Sequence, residues 1–167
     1  MSSIFPGKYT AVSDEPFVVF LIGMRINRPL ALRKWLPVFN AMPRMLQVLQ
    51  TYPEKGYLGG SFYVALPRFS PLLVSYWRSF EQLEHFARSQ DDPHLGAWRQ
   101  FNQSIGSDGT VGIWHETYLI DPGKHETVYT NMPRTGLAQA LTHVSLSARR
   151  ETSRQRLNAS SEGLAAD

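Results

Sequence analysis

The segment Phe17 to Asn27, FVVFLIGMRIN, constrains this chain more than any other. It is short, rich in β-branched and aromatic residues, and apolar on both faces until Arg25. A strand apolar on both sides must be covered on both sides, so the segment predicts a buried central strand. Asn27-Arg28-Pro29 stops it. The elements that follow have to pack around this strand.

Leu30 to Tyr52 has helical spacing, with Leu32, Trp35, Leu36, Phe39, Met42, Leu46 and Leu49 three or four residues apart. Pro37 and Pro43 interrupt the pattern, because an interior proline loses a backbone bond and kinks a helix. A break or kink near Asn40 is expected, with a second helical stretch from Pro43. Tyr57 to Leu66 and Pro71 to Ser79 then form a hairpin, with a bulge at Gly59-Gly60. Phe80 to Ser89 is helical, and Ser79 with Gln82 has capping-box spacing. A second helix is expected from His94 to Ser104, and Val111 to Ile120 is the last core strand. Beyond it, His125 to Asn131 suggests an accessory strand and Gly136 to Val144 a short helix.

The order β-α-β-β-α-β is the ferredoxin-like split βαβ: an α+β fold with one antiparallel sheet and helices on one face. The other face needs a cover, and a second subunit is the usual solution. Residues 1–15 are read as an N-terminal arm, 16–146 as the ferredoxin-like domain and 147–167 as a flexible tail.

Composition removes several classes of chemistry. There is no cysteine, which excludes disulfides, thiolate nucleophiles, Cys-type zinc sites and haem-thiolate ligation. The net charge of +3 owes much to Arg149, Arg150, Arg154 and Arg156 near the end, and no basic stripe interleaves with aromatics, so no nucleic-acid partner is expected. The longest apolar run, Phe17 to Met24, is too short to span a bilayer, and the first 15 residues lack a signal-peptide pattern. The expectation is a soluble, cytoplasmic protein with no membrane partner. GxGxxG, P-loop, HExxH and GxSxG motifs are all absent.

Two histidines stand out. His94 follows Asp92-Pro93 and shares a helix face with Trp98 and Phe101. It is either an inward ligand for haem iron or another metal, or a helix-start residue that caps backbone groups or faces solvent. His115 lies mid-strand on the face of Val111, Ile113, Thr117 and Leu119. It is either a general acid or base, or a core histidine bonded to Thr117 or a backbone carbonyl. Glu116 points the other way. Arg25 and Arg78 are either edge-of-sheet charges or partners for a carboxylate or a haem propionate. His85, His125 and His143 are assigned to surface or structure.

The stretch SYWRSFEQLEHFARSQDDPHLGAWRQF, Ser75 to Phe101, resembles the dimeric α+β barrel superfamily, which includes antibiotic-biosynthesis-type monooxygenases. Tyr76-Trp77-Arg78-Ser79, Leu83-Glu84, His94 and Trp114-His115-Glu116 are similar to the C-terminal half of haem aldoxime dehydratases. The runs IGMRIN, NMPR and GL resemble a family of unknown-function domains called monooxygenase-like after a member from fungal terpenoid biosynthesis. The resemblance implies a homodimer that modifies a small apolar molecule. It implies haem with His94 as its iron ligand, Trp98 beside it and His115 as the catalytic group across the pocket. The alternatives are chemistry with no cofactor, an aldoxime dehydratase-like lyase, and a non-catalytic domain that only binds haem or an apolar ligand.

Overall fold

The computed structural model describes residues 3–66, 69–89, 96, 99, 101–103, 106–146 and 152–162. Strand β1 spans Phe5–Val12, β2 Phe17–Ile26, β3 Tyr57–Ala65, β4 Ser70–Trp77, β5 Val111–Ile120, β6 Tyr129–Met132 and β7 Thr142–Ser145. Helices α1 (Leu32–Thr51), α2 (Phe80–Arg88) and α3 (Ser153–Glu162) complete the named elements.

The central strand is where its apolar composition requires. β2 pairs antiparallel with β5 from Phe17↔Ile120 to Ile26↔Val111, and with β4 from Val18↔Trp77 to Gly23↔Leu72. The sheet order is β3-β4-β2-β5, the ferredoxin-like arrangement. β3 and β4 form the expected hairpin, and its register shifts between Tyr57 and Gly59. Gly59 takes φ 148° there, a conformation that a side chain disfavours.

Alternation divides the sheet into two faces. Val18, Trp77, Met45, Leu49, Leu83 and Phe86 form one buried cluster under α1 and α2. Met24, Ile26, Phe101 and Val111 form a second cluster under the start of α1. Each large side chain so buried contributes about 1.5–3 kcal/mol. The polar atoms in this core are paired: Trp77 Nε1 donates to Ser75 Oγ at 3.1 Å, and that hydroxyl donates to the Phe20 carbonyl at 3.1 Å.

Helix α1 departs from expectation by running unbroken through Pro37 and Pro43. Each proline lacks the N–H of one ladder bond, but Met45 and Leu49 stay buried against the sheet. Packing of the apolar stripe outweighs two missing bonds. The cap on α2 forms by half: Ser79 Oγ accepts from Gln82 N–H at 3.2 Å. The Gln82 side chain does not return to the cap; its Nε2 donates to the Glu54 carbonyl at 3.1 Å.

The flanking segments are more structured than their composition suggests. Residues 5–12, read as part of an arm, form β1 at the centre of a second sheet of order β6-β1-β7. The helix expected over Gly136 to Val144 is a single 3-10 turn, Gly136–Gln139, followed by β7. In the stretch read as a flexible tail, α3 is anchored by an ion pair, Arg156 Nη2 to Glu126 Oε1 at 2.6 Å. The tail lacks apolar periodicity, so its attachment is ionic and leaves no hydrophobic signal.

The sheet face opposite the helices is covered in part by the 3-10 turn. Gln139 Nε2 donates to Ser61 Oγ at 3.0 Å, and Tyr76 beneath is buried. Burial first, then the neighbouring Tyr129 and Tyr63, push the Tyr76 phenol up to about 12. The rest of that face carries Trp114, Tyr118 and Tyr63, each more than two-fifths exposed.

Trp114 lies flat on Gly23, its cross-strand neighbour; a Cβ on Gly23 would sit 2.4 Å from the indole ring. Gly23→Ala is expected to overpack this contact and lower unfolding free energy by about 1–3 kcal/mol, read by denaturant titration of Trp fluorescence. Wild-type stability in that variant would show that the ring does not depend on the bare glycine.

Candidate functional site

Between α1, α2 and the helix-facing side of the sheet lies a cavity of about 730 Å³. Phe20, Ile22 and Met24 of β2 form its floor, with Leu73 of β4 and Phe62 of β3 alongside. Phe39, Met42 and Met45 of α1 and Leu83 of α2 form the opposite wall, and Phe101 also lines it. Phe20, Ile22, Met24, Phe39 and Met42 belong to the apolar runs and spacings visible in the sequence, whereas Met45 does not. Their helical and strand spacing shows which face they share, not that the two layers stand apart.

His115 and Thr117 enter this apolar space from β5, together with Ile113. Strand alternation placed the three on one face, and β5 pairing with β2 sets His115 opposite Ile22. The imidazole lies beside the Phe20 ring, centroids 5.7 Å apart. It makes no hydrogen bond among the described residues and is exposed to the cavity, so it is not a core histidine satisfied by Thr117 or a carbonyl. Glu116 points the other way, where its carboxylate accepts a 2.6 Å hydrogen bond from the Tyr118 hydroxyl.

His94 and Trp98, the expected haem ligand and its neighbour, lie outside the described residues. Phe101, expected on the same helix face, is described; it is buried and lines the cavity. Arg25 and Arg78 do not line it; both are exposed. The charged lining residues are Lys34, Glu84 and Arg88, which sequence reasoning did not single out. Lys34 pairs with Asp108, and that contact, with the Thr110 N–H, holds the Asp108 carboxyl well below the usual carboxylate range. Arg88 Nη2 pairs with Glu84 Oε1 at 2.9 Å, one helical turn away. The i, i+4 spacing of Glu84 and Arg88 was the available signal.

His125 and His143 are remote from this cavity. His125 meets the edge of Phe17, with ring centroids 5.0 Å apart, and His143 stacks on Tyr9 at 4.6 Å. Burial is the main reason that both imidazoles titrate below the usual histidine range.

A ferredoxin-like α+β domain with a histidine on the wall of a largely apolar cavity has the concave, mostly apolar form in which small molecules are commonly bound. Comparison with known proteins narrows the class. Residues 17–137 match the model of the monooxygenase af470-like family, and the chain belongs to that family. It is 30% identical over 138 residues to monooxygenase af470 of Aspergillus fumigatus, covering 75% of this chain and 48% of that protein. The fold is similar to a crystal structure of aldoxime dehydratase, with TM-score 0.63 and 16% identity over 88% of this chain and 45% of that one. SnoaB of Streptomyces nogalater, a cofactor-independent oxygenase, is 10% identical, with TM-score 0.44 over 61% of this chain and 90% of its own. The chain thus spans about half the length of the first two proteins.

If the cavity is the ligand site, filling it blocks binding. Ala41 lines it from α1, and Ala41→Trp is expected to weaken binding of the apolar dye anilinonaphthalene sulfonate about tenfold or more, measured by fluorescence titration. Unchanged dye affinity with unchanged circular dichroism would place the apolar site elsewhere.

Proposed function

We propose that this protein is a monooxygenase-like enzyme acting on a small apolar molecule, with His115 as the group that holds or moves a proton at the substrate. The observation that carries this reading is the His115 imidazole, without a hydrogen bond among the described residues, on the wall of a largely apolar cavity whose charged members, Lys34, Glu84 and Arg88, are each in an ion pair. An imidazole has one nitrogen that can accept a proton and one that can donate it, so it serves in either direction as a proton carrier. The apolar wall holds and orients the substrate and excludes water from it. In the overall balance one oxygen atom of dioxygen enters the substrate and the other leaves as water, with two electrons from an external reductant.

Haem is the proposed cofactor, held by His94 with Trp98 beside it. The cavity suits a flat apolar macrocycle, since Phe20, Phe62, Phe101 and Met42 offer aromatic and thioether walls. Among the described residues no group of three or more His, Asp or Glu could hold a metal ion by side chains alone. Bound haem would supply dioxygen activation or Lewis-acid chemistry, and His115 would act on the far side of the pocket.

Protein expressed with a haem supply is expected to show a Soret band that is lost or shifted in His94→Ala. His115→Ala is expected to keep the band and to lower substrate-dependent oxygen uptake by on the order of a hundredfold. Equal, weak haemin binding by wild type and His94→Ala would remove haem and leave cofactor-free chemistry in the same cavity. An aldoxime consumed by the ferrous protein without oxygen uptake would instead favour the lyase activity that the name of the structurally similar dehydratase states.

The working unit in this reading is a homodimer formed through the uncovered sheet face. Trp114, Tyr118 and Tyr63 form an exposed aromatic patch there. Light scattering is expected to give twice the chain mass, falling to the monomer in Trp114→Lys/Tyr118→Lys. A wild-type monomer at micromolar concentration would end the dimer proposal.

A further inference from the structure

A second apolar surface lies at the other end of α1, away from the sheet face assigned to the dimer. Leu30 is 97% exposed at the turn into α1, and Leu66 is 78% exposed at the end of β3. Leu32, Leu36 and Phe69 are exposed as well. These residues come from the start of α1 with the turn before it and from the ends of β3 and β4, far apart in sequence, and aromatic contacts bring the two regions together. Phe69 packs on Phe39 at 5.6 Å and on Trp35 at 6.3 Å, while Phe62 meets Phe39 at 6.3 Å. Trp35 is pinned in turn by a 2.9 Å bond from its Nε1 to the Pro29 carbonyl. The leucines therefore project from a braced platform.

The charge around the patch is predominantly positive. From Pro16 to Pro53 the sequence has no Asp or Glu, while it carries Arg25, Arg28, Arg33, Lys34 and Arg44. Arg28 and Arg33 flank Leu30 and Leu32 and are exposed. Lys34 is taken by Asp108, an acid that reaches this end from the turn before β5. Exposed leucines rimmed by arginines fit an anionic lipid surface, where the aliphatic groups enter the acyl boundary and the guanidinium groups meet the headgroups. Such a surface needs no directional partner, and the exposed arginines Arg28 and Arg33 flank the leucines directly in sequence.

We propose that the platform of Leu30, Leu32, Leu36, Leu66 and Phe69, rimmed by Arg28 and Arg33, docks the protein reversibly on an anionic membrane surface. This contact differs from a membrane span: among the described residues no helix is long and apolar enough to cross a bilayer. Phe39 and Phe62, which brace the platform, also line the cavity. An apolar ligand dissolved in the bilayer would then meet the cavity at its own docking face. Docking is a property of the surface and does not depend on the chemistry inside the cavity.

The test is co-sedimentation of the full chain with vesicles of phosphatidylcholine mixed with phosphatidylserine, against phosphatidylcholine alone. The expected result is binding to the mixed vesicles that weakens with added salt. Arg28→Glu and Arg33→Glu are each expected to weaken it about fivefold or more. Leu30→Asp/Leu66→Asp is expected to abolish it, with circular dichroism and dye binding in the cavity unchanged. Two results would overturn the proposal. One is wild-type protein that stays in the supernatant with both vesicle types. The other is Leu30→Asp/Leu66→Asp that pellets like wild type, or that loses self-association by light scattering without any change in vesicle binding, which would assign the patch to a second copy of the chain.

Discussion

The structure hangs on the pairing of β2 along both of its edges. Phe17 to Ile26 is bonded to β5 through all its residues and to β4 through its middle. Its side chains alternate between two faces with different tasks. Val18, Met24 and Ile26 are buried under the helices, whereas Phe20 and Ile22 floor the cavity. On the opposite face, Gly23 is bare so that Trp114 can lie against it. A shift of one residue in this register would exchange the two faces, turning His115 out of the cavity and Glu116 into it.

The cavity arises because the helices are held off the sheet in the middle and touch it at the ends. One buried cluster anchors the end of α1 and α2 over Val18 and Trp77. The other anchors the start of α1 over Met24, Ile26 and Val111. Between them the side chains are only partly buried, and His115 and Thr117 find room there. The same helix α1 carries the braced leucine platform at its start. One element thereby joins the ligand space to the proposed membrane face.

Much of the core was legible because periodicity reports directly on burial. The β2 run, the α1 spacing, the Gly59 bulge and the Ser79 cap all appear as expected from local chemistry. Alternation along β5 put His115 and Thr117 together and separated them from Glu116. The misreadings share a cause. Pro37 and Pro43 were given more weight than the packing that overrides them. Residues 5–12 and 153–162 lack apolar periodicity because a side sheet and the Arg156–Glu126 ion pair hold them, and neither leaves a hydrophobic pattern. The pairing of Lys34 with Asp108 joins residues 74 positions apart, a separation that no local pattern reports.

By itself the sequence determined the run of core elements from β2 to α2 and the strand β5, the faces of those strands and the lack of any cysteine in this chain, because these follow from side-chain period and composition. Only the tertiary structure decided that the apolar faces of α1, α2 and the sheet enclose a cavity of about 730 Å³ in place of a closed core. It alone placed Lys34, Glu84 and Arg88 on that cavity and left Arg25 and Arg78 off it. Period says which way a side chain points. The distance between two packed layers depends on where their bulky residues meet, and that is a property of the whole fold.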